Sequence, residues 1–275
     1  KRGRTTVPWM DANGISIHFK LAGHGPSVVL LHEMGGTLDS WDGIAPALSE
    51  RFRTLRYDQR GSGLSEKVRQ PITTEILVED LEAVLQGSGL AAPYHFVTVA
   101  AATMQALIYM TRHPDRIASF VFCNPFTGAD PSRVAALEER AGLAEREGLR
   151  KAIAVTLDKS WPADIGDRAA YAAYRGRYLA HDPVCFAAMN RSIVRPNVTH
   201  LAKDIRRPTM VVAGRFDQVR PPAASEQFAR TIPGARFELI DAVHMMPAQA
   251  AAALLALLQD FLGAQAASAT QQRAG

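Results

Sequence analysis

The chain contains 275 residues, of which 47% are hydrophobic and 21% are charged, and its formal net charge is +4. This composition is ordinary for a soluble globular protein, and the length fits one large α/β domain or a core with an inserted lid. Because the basic residues are scattered rather than gathered in one run, we do not expect nucleic-acid binding.

Other functional classes are also disfavoured. No run of about eighteen apolar residues stands out as a bilayer span, so no membrane association is expected. Cys123 and Cys185 are the two cysteines, and neither lies at metal-ligand spacing from histidines. We therefore expect a cytoplasmic protein with no metal site and no cofactor. The sequence leaves open whether the chain forms a homo-oligomer.

The apolar pattern predicts a mostly parallel sheet. Ile15, Ile17 and Phe19 alternate with polar residues after an Asn13-Gly14 turn signal, which indicates an antiparallel start. Continuous apolar runs, typical of strands covered on both faces, follow at 27–31, 52–57, 94–99, 117–123, 209–213 and 236–240. Helical patterns separate most of them, at 41–49, 73–86, 104–112, 223–230 and 248–261. Such alternation predicts an α/β fold with helices on both faces of the sheet.

Residues 126–204 interrupt this alternation. They contain no convincing strand, but show helical patterns at 133–157, 168–180 and 184–193. Ligands bind outside the carboxyl ends of the strands in open parallel sheets. We therefore predict a helical lid at 126–204 over a core formed by residues 1–125 and 205–275. The alternative is a helical extension without ligand contact.

Two glycine-containing segments follow the first two buried strands. LLHEMGG at 30–36 ends in a glycine pair, which lets the backbone turn sharply and leave amide N–H groups pointing into a cleft. Such N–H groups stabilise the oxyanion of a tetrahedral intermediate. YDQRGSGLS at 57–65 carries Asp58, Arg60 and two glycines, for which we favour a structural role in a tight loop.

An aspartate and a histidine follow the last two strands. Asp217 comes just after the run at 209–213, and His244 comes just after the run at 236–240. Consecutive strand ends place both side chains on the same rim of the sheet. There the carboxylate can hold the imidazole in the tautomer that a general base needs.

The chain resembles the α/β-hydrolase superfamily over roughly residues 10–262, and most closely the 3-oxoadipate enol-lactonases and related small esterases and ring-cleavage hydrolases. The segments that carry the resemblance are LLHEMGGTLDSWD, YDQRGSGLS, HPDRI, GRFDQVRPP and DAVHMMP. The resemblance implies an acid at Asp217, a base at His244 and an oxyanion-binding N–H at Met34. Glu33 replaces the family's usual small residue, so its carboxylate either reaches the pocket mouth or faces solvent.

The family's nucleophilic serine is missing. The family has G-x-S-x-G at a strand-to-helix elbow, whereas this chain has TVAAATM at 98–104. Counting back from His113 by the family's usual helix length places the nucleophile position at Ala100, with Ala101 supplying the second oxyanion N–H. A register centred on Ala102 would bring the bulk of Met104 against the turn. Thr98 replaces the family's glycine, and it lies too early to attack in place of the serine.

Three explanations fit an alanine at position 100. In the first explanation, the chain is a catalytically impaired serine-to-alanine variant of a hydrolase. That hydrolase would cleave an ester, lactone, amide or C–C bond by a Ser-His-Asp mechanism. Alternatively, it is a non-covalent His/Asp catalyst of the cofactor-free dioxygenase or lyase type. The third explanation is a small-molecule-binding homologue without turnover. We favour the first.

The predicted lid supplies candidate contacts for a small-molecule substrate. An arginine there could clamp a carboxylate bidentately, which favours a carboxylate-bearing substrate. The candidates from the lid are Trp161, Arg175, Tyr178, Asn190 and Arg191.

Overall fold

The computed structural model describes residues 8–274, with side-chain surroundings for residues 8–268. The strands within that range are β1 (Trp9–Ala12), β2 (Ile15–Ala22), β3 (Ser27–Leu31), β4 (Arg53–Tyr57), β5 (Tyr94–Val99), β6 (Ile117–Cys123), β7 (Thr209–Gly214) and β8 (Arg236–Ile240). They form one sheet in the order β1-β2-β4-β3-β5-β6-β7-β8. β1 pairs antiparallel with β2 and β2 with β4, while β3 to β8 run parallel. The predicted α/β-hydrolase fold is confirmed.

Helices cover both faces of this sheet. They are α1 (Ala45–Leu48), α2 (Thr74–Gly87), α3 (Ala102–Arg112), α4 (Val134–Glu147), α5 (Leu149–Ala152), α6 (Leu157–Ser160), α7 (Arg168–Leu179), α8 (Pro183–Ser192), α9 (Pro222–Arg230), α10 (Met246–Gln249) and α11 (Ala251–Ala274). Short 3₁₀ turns lie at Leu38–Trp41, Pro114–Arg116, Pro131–Arg133, Ile153–Val155 and Thr199–Asp204.

Two predicted helices are shorter than expected. The helix expected at 41–49 is reduced to a 3₁₀ turn and α1, because Pro46 lacks an N–H and cannot continue a helix from the residues before it. The helix expected at 133–157 ends at Glu147, because Gly148 has φ +80°. A residue in the left-handed region ends an α-helix.

Alternate residues of the central strands supply two separate cores. Val29 and Leu31 pack in a cluster with side chains from α2 and α3. Val28 and Leu30 point to the opposite face, where they pack with side chains from α11. Successive strand residues point to opposite faces, so a sheet covered on both sides needs the continuous apolar runs seen in the sequence.

The segment between β6 and β7 holds α4 to α8 and contributes no strand to the sheet. Its buried Tyr174 packs in one cluster with Val243 and Met245, the two neighbours of His244. The His244 N–H also donates to the Ser160 carbonyl at 3.1 Å. The helical segment therefore contacts the loop after β8, while its division from the core as a lid stays a prediction.

Helix α11 is long and apolar. By length and composition its residues Ala251–Ser268, with a mean hydropathy of 1.3, could cross a membrane, which the sequence analysis did not expect. In the structure Leu254, Leu258 and Leu262 are buried against the sheet. One side of the helix therefore serves as a core-packing face.

Candidate active site

Ala100 stands at a sharp turn between β5 and α3. Its φ is +50°, a left-handed conformation that is uncommon for a residue other than glycine. The Ala100 N–H donates to the Cys123 carbonyl at 2.9 Å, and the Ala100 carbonyl accepts from the N–H groups of Thr103 and Phe126, each at 3.1 Å. Backbone strain of this kind persists where the surroundings fix it, and it is frequent at functional sites. Ala102, the alternative position, is the first residue of α3.

The two threonines near this turn face away from the site. The Thr98 hydroxyl lies 3.0 Å from the Thr103 hydroxyl, and both residues are fully buried. Neither threonine borders the cavity described below. Their hydroxyls therefore bond to each other rather than face a ligand.

Asp217 and His244 form a buried pair. Asp217 follows β7 and His244 follows β8, and His244 Nδ1 donates to Asp217 Oδ2 at 2.6 Å. The other carboxylate oxygen accepts from the N–H groups of Val219 and Arg220, at 2.7 and 2.8 Å. These bonds orient the carboxylate and place a proton on Nδ1, which leaves Nε2 as the acceptor nitrogen. Within residues 8–268, Nε2 has no hydrogen-bond partner.

Asn124, directly after β6, joins the loops that carry this pair. Its Oδ1 accepts from the Gly214 N–H at 2.8 Å, and its Nδ2 donates to the carbonyls of Val243 and His244, each at 3.2 Å. Its φ is +46°, which asparagine tolerates better than most residues do. Sequence analysis missed Asn124, although its place after a strand matches that of Asp217.

Two backbone N–H groups at the cavity, one in the loop after β3 and one in the turn after β5, have no acceptor within residues 8–268. Within the described residues, neither the Met34 N–H nor the Ala101 N–H donates a hydrogen bond, and both residues border the same cavity as Ala100. Gly35 beside Met34 has φ +78°, and a Cβ there would lie 2.5 Å from the Tyr178 ring. Glycine is the residue that fits this turn. The N–H groups of Met34 and Ala101 are left available to a ligand in the cavity.

Glu33 is buried, which excludes the solvent-facing alternative. Its Oε1 accepts from the Ser40 hydroxyl at 2.8 Å and from the Tyr174 hydroxyl at 2.6 Å. Its Oε2 is buried and has no hydrogen-bond partner in the described part of the chain. Burial, and then the neighbouring Glu33 carboxyl, raise the pKa of Tyr174 well above its usual value. Tyr174 therefore keeps its proton and acts as a hydrogen-bond donor to Glu33.

A cavity of about 70 Å³ brings most of the predicted site residues together. Those that border it are Glu33, Met34, Ala100, Ala101, Tyr178, Asn190 and His244. Asp217 lies behind His244.

Three predicted substrate contacts do not border this cavity. Trp161 is fully buried and donates its indole N–H to the Ile165 carbonyl, so it packs the helical segment. Arg191 forms ion pairs with Glu138 and Glu145 at the surface. Arg175 is likewise absent from the residues that border the cavity.

The structure adds three arginines that sequence analysis missed. Arg133, Arg140 and Arg220 all border the cavity. Arg133, Leu137 and Arg140 follow the i, i+4, i+7 spacing of one helix face, and Arg220 lies three residues after Asp217. These spacings are the features of the sequence that could have identified the arginines as candidates for the site.

Comparison with known proteins identifies the family. The α/β hydrolase fold family matches residues 26–251, and the chain belongs to it. The enol-lactonase from Burkholderia xenovorans LB400 is 28% identical with a TM-score of 0.86, covering 93% of this chain and 100% of that one. A hydrolase from Pseudomonas aeruginosa PA01 is 26% identical with a TM-score of 0.84, covering 94% and 99%. "Putative carbamate hydrolase RutD" from Caulobacter segnis is 27% identical over 224 residues, covering 78% of this chain and 83% of that protein.

Proposed function

We propose that the cavity is the active site of a small-molecule hydrolase for an ester, lactone or related acyl bond, and that residue 100 is its nucleophile position. The observation that carries this proposal is the hydrogen-bonded His244–Asp217 pair at the same cavity as the left-handed turn of Ala100. An alanine methyl cannot form an acyl bond. The covalent step is therefore blocked in this chain.

The mechanism follows from the groups around the turn. A serine hydroxyl at position 100 would attack the substrate carbonyl while His244 Nε2 takes its proton and Asp217 stabilises the resulting imidazolium. The free N–H groups of Met34 and Ala101 would bind the oxyanion. The imidazolium would give that proton to the leaving oxygen as the scissile C–O bond breaks, which leaves an acyl-serine. Water, deprotonated by the same imidazole, would then hydrolyse the acyl-serine to the free acid and restore the serine hydroxyl.

Restoring the hydroxyl tests this assignment. We expect Ala100→Ser to raise kcat/KM for aryl acetates or simple lactones by at least about a hundredfold over the parent chain, because it supplies the missing nucleophile. The gain should disappear when His244→Gln is added. Rates are measured by release of the aryl alcohol or by acid production.

Ala102→Ser provides the matched control. It adds the same hydroxyl two residues later, at the start of α3, and should leave activity unchanged. The proposal is wrong if folded Ala100→Ser shows no gain, or if Ala102→Ser gains as much.

One observation favours a second function, non-covalent catalysis. His244 Nε2 has no partner within residues 8–268, and the chain carries no hydroxyl at position 100 for it to deprotonate. The imidazole could instead activate a water or deprotonate the substrate directly. In that case the unaltered chain would turn over substrate, and His244→Gln would abolish that turnover.

A further inference from the structure

Three arginines around the cavity have no ion-pair partner. Arg133 and Arg140 come from the start and middle of the α4 region, and Arg220 comes from the loop after Asp217. In the part of the chain with described side chains, none of the three forms an ion pair with a carboxylate. Arginines that are partly withdrawn from water are usually paired.

The hydrogen bonds of these arginines are few and long. Arg133 reaches the Val219 carbonyl and Arg220 reaches the Ala224 carbonyl, both at 3.4 Å. The Nε atoms of Arg140 and Arg220 are buried and have no hydrogen-bond partner within residues 8–268. Burial is the main cause that lowers the pKa of Arg140 and Arg220 below the usual arginine value. The like charge of Arg133 lowers both further, whereas Tyr178 raises the pKa of Arg140 and Asp217 raises that of Arg220. The cluster therefore has unused donors and mutual repulsion that an anion would relieve.

The two carboxyl groups near these arginines make their hydrogen bonds to other groups. Asp217 accepts from His244 and from two backbone N–H groups. Glu33 borders the cavity, but its bonded oxygen accepts from Ser40 and Tyr174. Among the described residues, neither carboxylate forms an ion pair with the three arginines, although the charge of Asp217 raises the pKa of Arg220. Two carboxyl groups stand against three guanidinium groups, so an excess of positive charge remains beside the cavity.

The cavity also has apolar walls next to these charges. Phe126, Leu137, Phe186, Ile193 and Val219 all border it. An arginine cluster beside an apolar wall suits a ligand with a carboxylate at one end and a hydrocarbon part next to it.

We infer that Arg133, Arg140 and Arg220 form a carboxylate-binding subsite, so that the substrate is an acidic ester or lactone rather than a neutral one. The acyl bond of that substrate rests on the proposed function, whereas the subsite stands on the unpaired arginines alone.

Binding to the unaltered chain tests the subsite without requiring turnover. Monomethyl succinate and dimethyl succinate have nearly the same shape but differ by one charge. By calorimetry we expect the monoester to bind at least about tenfold more tightly, since bidentate arginine–carboxylate bonds are strong. Arg140→Met and Arg220→Met should each weaken monoester binding by about tenfold or more, with little effect on the diester. Arg140→Lys should recover part of the loss.

Arg146→Met is the matched control. Arg146 lies on the same helix, but it pairs with Glu139 at the surface and does not border the cavity. This variant should bind both esters like the parent. Equal affinity for the two esters, no detectable monoester binding at millimolar concentration, or an equal loss in Arg146→Met would overturn the inference.

The two proposals fail in different ways. If Ala100→Ser gains no activity but the monoester still binds through Arg140 and Arg220, the subsite stands and the proposed reaction falls. If Ala100→Ser hydrolyses neutral and acidic esters equally well, the reaction stands and the subsite falls.

Discussion

Glu33 is a buried acidic residue beside the cavity. A carboxyl group that is 1% exposed is costly unless its oxygens are hydrogen-bonded. Ser40 and Tyr174 bond one oxygen, while the other has no donor among the described residues. The burial of Glu33 thus depends on the Tyr174 hydroxyl from α7.

We expect Tyr174→Phe to lower the free energy of unfolding by about 1–3 kcal/mol, because it removes a donor and leaves the buried carboxyl less satisfied. Urea unfolding measures the change. Tyr171→Phe is the control, since the Tyr171 hydroxyl bonds Asp158 at the surface, at 3.1 Å. Its effect should stay within about 0.5 kcal/mol. An equal effect of the two substitutions would contradict the dependence of Glu33 on Tyr174.

Asn124 connects the carboxyl ends of three strands, β6, β7 and β8. Its three side-chain bonds reach the N–H of Gly214, the last residue of β7, and two carbonyls after β8. The distance between Asp217 and His244 therefore depends on an asparagine that belongs to neither loop.

We expect Asn124→Ala to lower the free energy of unfolding by about 2–4 kcal/mol, through lost hydrogen bonds and a left-handed φ that alanine resists. In the Ala100→Ser background, kcat should fall more than KM changes, because the base loses its position. Asn124→Gly also removes the hydrogen bonds, but glycine adopts the left-handed φ without strain. It should therefore be less destabilised than Asn124→Ala, while kcat should fall to the same extent in both. Unchanged kcat in both variants would show that Asn124 only stabilises the fold.

The strands of the sheet were largely predictable from the sequence. Continuous apolar runs identify strands covered on both faces, and the runs at 27–31, 94–99 and 117–123 coincide with β3, β5 and β6. The length of the helices was less predictable, because a single residue such as Gly148 ends a helix by its backbone conformation. Periodicity does not report that conformation.

The site was predictable only where strand ends fix it. Asp217 and His244 could be paired from their order after two adjacent parallel strands. Arg133 and Arg140 border the cavity because of how α4 packs against the rest of the molecule, and no local pattern specifies that packing. Arg191 was chosen as a substrate contact, but it forms ion pairs with Glu138 and Glu145 because the neighbouring helix α4 supplies carboxylates.

For the whole molecule, burial of histidine couples stability to pH. His95 on β5 is buried, with Nδ1 2.7 Å from the Ser119 hydroxyl, and burial lowers the pKa of His95 to about 4. The unfolded chain has the higher histidine pKa, about 6.5, and so binds more protons between these two values. The stabilising contribution of neutral His95 is present above pH 6.5 and is lost as pH falls through 4.

We therefore expect His95 to contribute about 2 kcal/mol of the stability lost between pH 7 and pH 5. His95→Gln should remove that part of the pH dependence, as measured by urea unfolding at both pH values. His24→Gln replaces an exposed histidine. In this variant the free energy of unfolding should change with pH as it does in the parent chain. If His95→Gln loses as much unfolding free energy between pH 7 and pH 5 as the parent chain, His95 is not the source of the acid sensitivity.

The most direct measurement of the central claim is covalent labelling at position 100. A fluorophosphonate reacts with a serine only when a base activates the hydroxyl and N–H groups hold the phosphoryl oxygen. Intact-mass and peptide analysis should find one adduct on the serine of Ala100→Ser. There should be no adduct at position 100 in the parent chain, and none when His244→Gln is added. A folded Ala100→Ser protein that stays unlabelled would show that Asp217, His244 and the two N–H groups do not form an acyl-transfer site.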